Sequence, residues 1–174
     1  MDTETTGIDK HDQIIEIAIL DEEGNILLDS LVKPTVKVTP NARAVHGISN
    51  RDLKNAPGWA EVYEKYLSIT EGKTILAYNS KFDKRLMQQS CKANKLVNKR
   101  RNWDCIMLAY SEFMGNTKNG WYKWHKLEDA AFNSTVSISN SNSKQHKALY
   151  DSGLALGVYM HMKAEVNKYF ESDV

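Results

Sequence analysis

The sequence predicts an α/β protein, and three features of it lead there: an Ile-rich hairpin near the start, short apolar runs that alternate with helix signals, and a long amphipathic helix at the end. In the hairpin, Gln13–Leu20 reads Q-I-I-E-I-A-I-L, Asp21-Glu-Glu-Gly-Asn25 supplies the turn, and Ile26–Val32 returns. Two antiparallel strands therefore follow an N-terminal segment, D-T-E-T-T-G at residues 2–7. Pro34 and Pro40 then bracket extended chain, and residues 41–47 have the size of a short helix ended by Gly47. Ser49 suits the cap of a brief helix. Pro57 fits the opening of the next one, whose apolar face is Trp59, Val62, Tyr63, Tyr66 and Leu67. Lys73–Tyr78 reads as a buried strand running into a helix capped by Asn79, with Phe82, Leu86, Ala93 and Leu96 on one side. Trp103–Leu108 is a strand passing into a helix through Asp104, residues 111–125 read as an irregular loop, and Leu127–Phe132 is a short helix. Ser137–Ser143 is a flexible loop by composition, after which Ala148, Ala155, Val158, Met162, Val166 and Tyr169 keep the helical period.

A chain of 174 residues, 41% hydrophobic and 26% charged, is enough for a single globular domain with a full core. Its net charge of +1 argues against a protein that coats nucleic acid by charge alone. The distribution says more: residues 1–30 hold nine acids and one Lys, whereas residues 81–101 hold eight Lys and Arg against Asp83. The basic run serves equally as a phosphate-binding face or a solvated helix flank. Cys91 and Cys105 are too few and too unpatterned for a zinc site or a disulfide framework, so a reducing compartment is expected. No apolar run reaches membrane-spanning length and no signal peptide is visible, which gives a cytoplasmic expectation and no membrane partner.

Four carboxylates carry the chemistry. On a strand Asp2 and Glu4 would point the same way, their Cα atoms about 6.5–7 Å apart. Two anions so placed repel, and a divalent cation between them would compensate. Alone, an Asp-x-Glu reads more simply as acidic residues at an exposed chain start. Asp83, however, sits one turn past the Asn79 cap, and Asp151 falls within the apolar stripe of the last helix, where a carboxylate is costly unless paired or bound to metal. His146 precedes Asp151 by five residues, about 140° around a helix, so the two share a site only if His146 lies at a flexible helix start. Glu16, an acid inside an apolar strand, is either held by a structural partner or faces the surroundings of such a site.

D-T-E-T-T-G, N-S-K-F-D and H-K-A-L-Y-D, in that order, resemble the three motifs of the DEDDh (DnaQ-like) 3′-5′ exonucleases, a family that includes the DNA polymerase III epsilon proofreading subunit and exonuclease X. I-I-E-I-A, P-N-A-R-A-V-H-G-I-S, W-D-C-I-M-L-A and K-L-E-D-A-A-F add supporting matches, so the similarity spans nearly the whole chain. The resemblance implies an RNase H-like fold: a mixed five-stranded sheet with helices on both sides, spanning residues 1–174 as one exonuclease domain. It also implies two Mg²⁺ or Mn²⁺ ions, which together make water nucleophilic and neutralise the leaving oxygen. By motif match Asp2 bridges both ions, Glu4 and Asp151 complete the shell of the first, Asp83 serves the second directly or through water, and His146 is the general base. Oxygen-only donors suit a hard ion. Thr5, Thr6, His46, Gly47 and Ile48 match segments that meet the terminal nucleotide; a cap or core contact is an equal reading of His46.

The function so implied is hydrolysis of single-stranded or frayed DNA from the 3′ end to nucleoside 5′-monophosphates, with a DNA polymerase as candidate partner. RNA or oligoribonucleotides are the alternative substrate, and a non-catalytic nucleic-acid or polymerase-binding module is the alternative class. Trp121, Tyr122 and Trp124 interleave with Lys118, Lys123 and Lys126, a pattern suited both to stacking on unpaired bases and to packing under a loop. Two features depart from the family. Tyr78 stands where many relatives have His, and only Met1 precedes Asp2, so the first strand is expected to be truncated or unusually short, with neighbours partly unpaired.

Overall fold

Strand β2 (Ile14–Leu20) is buried from Ile14 through Ile19, because both its faces and both its edges are covered. The computed structural model describes residues 1–136 and 147–172. β1 (Asp2–Thr5) pairs antiparallel with one edge of β2, and β3 (Ile26–Leu31) with the other. The β2–β3 turn closes on Asp21, whose carboxylate accepts the backbone N–H groups of Glu23 and Asn25 at 3.1 and 2.8 Å.

α1 (Pro40–His46) begins at Thr39, whose hydroxyl accepts the Ala42 N–H, and stops at Gly47, where φ of 77° suits a residue without a side chain. Residues 49–55 form hydrogen-bonded turns in place of the brief helix expected after Ser49, whose N–H and hydroxyl both donate to the Asp52 carboxylate. α2 (Trp59–Ile69), β4 (Thr74–Ala77), α3 (Ser80–Ala93), β5 (Asn102–Cys105) and α4 (Ile106–Met114) follow as the apolar periods suggest, and β4 pairs parallel with β5. Asn79 occupies the N-cap position of α3 without a side-chain capping bond.

The irregular loop expected over residues 111–125 is instead the last turn of α4 and a hairpin of β6 (Thr117–Lys118) and β7 (Trp121–Tyr122). Asn119 and Gly120 take φ of 54° and 79°, the left-handed pair of a tight two-residue turn, so the Asn-Gly pair carried the signal that the surrounding composition masked. α5 (Leu127–Asn133) and α6 (Ala148–Ser172) complete the chain. No helix among the described residues is long and apolar enough to cross a membrane.

Helices lie on both sides of the strands. One core packs Ile14, Ile17 and Ile19 against Trp59, Val62 and Tyr66 of α2 and Leu86, Met87 and Cys91 of α3. The other gathers Tyr78, Ile106, Tyr110, Ala130, Leu154, Ala155 and Val158 from β4 onward through α6. In place of one five-stranded sheet, the first five strands form two ladders among the described residues, β1–β2–β3 and β4–β5. These meet where the Met1 amino group donates to the Leu76 carbonyl at 2.7 Å. Among the described residues β1 and β4 share this bond and no continuous ladder.

Candidate active site

The register of β1 on β2 sets the site. Asp2 lies opposite Ala18 and Glu4 opposite Glu16, while Thr3 and Thr5 alternate to the other face and are buried. α6 crosses the Asp2–Glu4 face. The Ala148 N–H donates to Glu16 Oε2 at 3.0 Å, and the Ser152 hydroxyl donates to the Ala18 carbonyl at 3.2 Å. Four residues of helix rise about 6 Å and two residues of strand advance about 6.7 Å, so this one helical turn fits over this one strand repeat. Asp151 lies within that turn, which is why it arrives beside Asp2 and Glu4. Carboxylate oxygens of Asp2, Glu4 and Asp151 lie within 4.8 Å of one another.

Asp83 reaches the same region from the first turn of α3 and is 3% exposed. Its Oδ1 accepts the Thr3 hydroxyl at 2.7 Å. Asp83 stands outside the three-carboxylate group, yet it is near enough to act on Asp2 electrostatically.

Burial, then repulsion among these anions, dominates the electrostatics. The pKa of Asp2 is raised well above the usual carboxylate range, first by burial and then by Asp83, Asp151 and Glu4. Glu4 is raised to about 8 by burial, Asp151 and Glu16, with Lys147 opposing. Burial raises Asp83 to about 6 against the Thr3 hydrogen bond and the Met1 amino group, and it lowers the basicity of that amino group in turn. Three carboxylates converging through oxygen alone fit a site for a hard divalent cation.

Glu16 has the structural partner that its apolar strand requires: besides Ala148 N–H, its Oε1 lies 3.8 Å from Lys147 Nζ. The segment after β1 is bonded throughout. Thr6 Oγ1 donates to Asp12 Oδ1 at 2.6 Å, Asp9 N–H donates to Asp12 Oδ2 at 2.7 Å, and Thr5 Oγ1 donates to the Gly7 carbonyl at 2.7 Å. A Cβ on Gly7 would stand 2.5 Å from Asp12 Oδ2, so this turn admits only glycine without rearrangement. His46 is buried, its Nδ1 accepting the Ile48 N–H at 3.0 Å and its Nε2 lying 3.1 Å from the Thr5 carbonyl. Because Nδ1 is an acceptor, the proton resides on Nε2, which donates to Thr5. Ile48 is buried against Ile15, Val38 and Leu53, and Gly47 is exposed.

The fold thus brings together Asp2, Glu4 and Asp151, with Asp83 beside them, and ties Thr5 to His46. His146 lies outside the described residues. Sequence reasoning missed Thr3, Lys147 and Ser152, which hold Asp83, Glu16 and α6. Each adjoins or falls within a quoted motif, but its partner lies far along the chain.

Acidic side chains converging from β1 and α6, with Asp83 of α3 beside them, define the class of site that could hold a metal ion. The chain belongs to the exonuclease family RNase_T, whose model matches residues 1–159. It is 36% identical over 165 residues to the uncharacterized exonuclease CP81 of Escherichia phage 186, covering 91% of this chain and 84% of that protein. It is 27% identical to the DNA polymerase III subunit epsilon of Pasteurella multocida, over 99% of this chain and 70% of that one. The fold is that of the RNase H-like DEDDh exonucleases. Exonuclease X in complex with 5′ overhanging duplex DNA superposes with a TM-score of 0.72 at 22% identity, over 94% of this chain and 89% of that chain. The nuclease domain of 3′hExo, a DEDDh family member bound to rAMP, gives 0.75 at 17% identity, over 94% and 90%.

Proposed function

We propose that the protein is a 3′-5′ exonuclease that removes nucleoside 5′-monophosphates from single-stranded or frayed DNA ends, using two Mg²⁺ or Mn²⁺ ions. The observation that carries this reading is the convergence of Asp2, Glu4 and Asp151 within 4.8 Å, with Asp83 alongside. When bound, such ions lower the pKa of water and stabilise charge on the attacking and leaving oxygens. Asp2, Glu4 and Asp151 would hold them, and Asp83 would complete the second position. Glu16 and Ser152 tie the α6 turn to β2 alongside β1, which places Asp151 against Asp2. His146 would take the proton from the attacking water, for which an imidazole with an ordinary pKa near 6.5 is suited. Thr5–Thr6 and His46–Ile48, tied through His46 and Thr5, would back the terminal nucleotide, with Gly47 as the exposed member.

The epsilon relative makes a DNA polymerase the partner to try first. The test is to incubate end-labelled single-stranded DNA, duplex DNA and RNA with Mg²⁺ or Mn²⁺ and to resolve the products. Stepwise 3′ shortening that Asp2→Ala and Asp151→Ala abolish is the expected result. Absence of any metal-dependent product, or full activity in both variants, would overturn the proposal.

A further inference from the structure

The β6–β7 hairpin and the residues just after it expose three aromatic side chains close together: Trp121 is 80%, Trp124 67% and Tyr122 48% exposed. Packing under a loop, one of the two readings of these residues, therefore does not account for them. With Leu108 and Ser111 of α4 the hairpin bounds a groove of about 910 Å³. Exposing two indoles costs solvation that a structural hairpin has no reason to incur.

Charge narrows the class of ligand. Residues 113–127 contain Lys118, Lys123 and Lys126 and no acid, and Glu112 is the acid on the groove wall. All three lysines are exposed. Protein–protein interfaces share the aromatic enrichment but are depleted in Lys, whereas single-stranded nucleic acid needs both: rings for the bases and ammonium groups for the phosphates. The register pairs Lys118 with Trp121 across the ladder, which places an ammonium group and an indole side by side on one face.

The platform is also built to stay in place. Its turn is the tight Asn119-Gly120 pair, and the Lys123 N–H donates to the Asn116 carbonyl at 2.8 Å. At its base the Tyr78 hydroxyl meets the carbonyls of His125 and Lys126 at 2.9 and 3.2 Å, and the His125 ring stands edge-on to Tyr110. Tyr78 immediately precedes Asn79, the cap of the helix that carries Asp83. The hairpin is thus rooted on the strand end from which one wall of the carboxylate site departs.

We propose that the β6–β7 hairpin is a second nucleic-acid contact, stacking unpaired bases of a single strand on Trp121 and Trp124 while Lys118 and Lys123 meet its phosphates. This rests on the nuclease reading for its substrate class and adds a site that the carboxylates do not provide. Stacking is indifferent to the sugar, so oligothymidylate and oligouridylate both bind.

The test compares the parent chain with Trp121→Ala/Trp124→Ala, a change to exposed side chains. The equilibrium Kd for fluorescein-labelled 16-mers of dT and U is measured in EDTA. Separately, hydrolysis of p-nitrophenyl thymidine 5′-phosphate, which offers a single base, is followed with Mn²⁺. The expected result is a Kd raised about tenfold or more for both oligomers, with hydrolysis of the small ester unchanged. An unchanged oligomer Kd overturns the proposal. So does a parent dimer, seen by sedimentation, that the double substitution dissociates. Weakened oligomer binding in a chain whose parent cleaves neither substrate supports the platform and counts against the nuclease reading alone.

Discussion

Glu16 on β2 accepts the first free backbone N–H of α6, that of Ala148, at 3.0 Å, directly across the strand ladder from Glu4. One carboxylate therefore caps a helix by a long-range contact and also raises the proton affinity of its neighbour. Glu16→Ala removes the cap and costs about 1–2 kcal/mol, the usual range for a capping carboxylate. Loosening the turn that carries Asp151 weakens Mn²⁺ binding by about 10- to 100-fold. Glu16→Gln keeps an acceptor oxygen and shows the smaller effect on both. Thermal melting and isothermal titration with Mn²⁺ measure the two, and equal Mn²⁺ affinity in Glu16→Ala and the parent would refute the positioning role.

The metal-free protein loses stability as pH rises. Glu4 moves from an ordinary 4.5 to about 8 on folding and Asp83 from 3.8 to about 6, so the folded state binds more protons than the unfolded state in between. Stability is then fully present below about pH 4 and declines through the window that ends near pH 8, by the linkage of proton binding to folding. Glu4→Gln removes part of that decline and raises the metal-free Tm at pH 8 by roughly 3 °C. Mg²⁺ or Mn²⁺ raises the Tm of the parent more than that of Glu4→Gln, because it offsets the same repulsion. Melting curves from pH 4.5 to 8.5, with and without the ion, check this; a parent Tm that climbs with pH in EDTA would contradict it.

Gly7→Ala tests how rigidly the segment after β1 is held. The added methyl meets an Asp12 carboxylate that is already fixed by Thr6 and Asp9, so the carboxylate moves only by giving up those bonds. The expected cost is about 1–3 kcal/mol, with Thr5 and Thr6 displaced. Denaturant melts read the stability, and a loss of less than half a kcal/mol would show that the turn yields freely.

Tyr78→Phe removes a hydroxyl that two backbone carbonyls share and leaves the ring in its core. The loss is about 1 kcal/mol, and it falls locally on the base of the hairpin. Amide exchange at residues 121–126 should quicken while exchange in β2 stays unchanged. Uniform quickening across the chain would mean that the bond serves global stability instead.

By itself, the sequence determined the longer elements and the list of acids. Period-two and helical patterns located β2, β4, α2, α3 and α6 because each buries one face or both, and burial writes itself into residue order. Asp2, Glu4, Asp83 and Asp151 were legible because charged side chains within strand ends and apolar stripes conflict with their surroundings. The short hairpin β6–β7 left little trace: two residues per strand are too few for any period to show, and only Asn-Gly marked it.

Tertiary structure alone decided which atoms hold those acids in place. Thr3 reaches Asp83 across 80 residues, Glu16 reaches Ala148 across 132, and Ser152 reaches Ala18 across 134. Such bonds depend on strand register and on the match between one helical turn and one strand repeat, quantities that no local window contains. The same holds for the convergence of Asp2, Glu4 and Asp151 and for the raised proton affinity of Glu4. A carboxylate's charge is legible in the sequence, but its burial and its neighbours exist only in the folded chain.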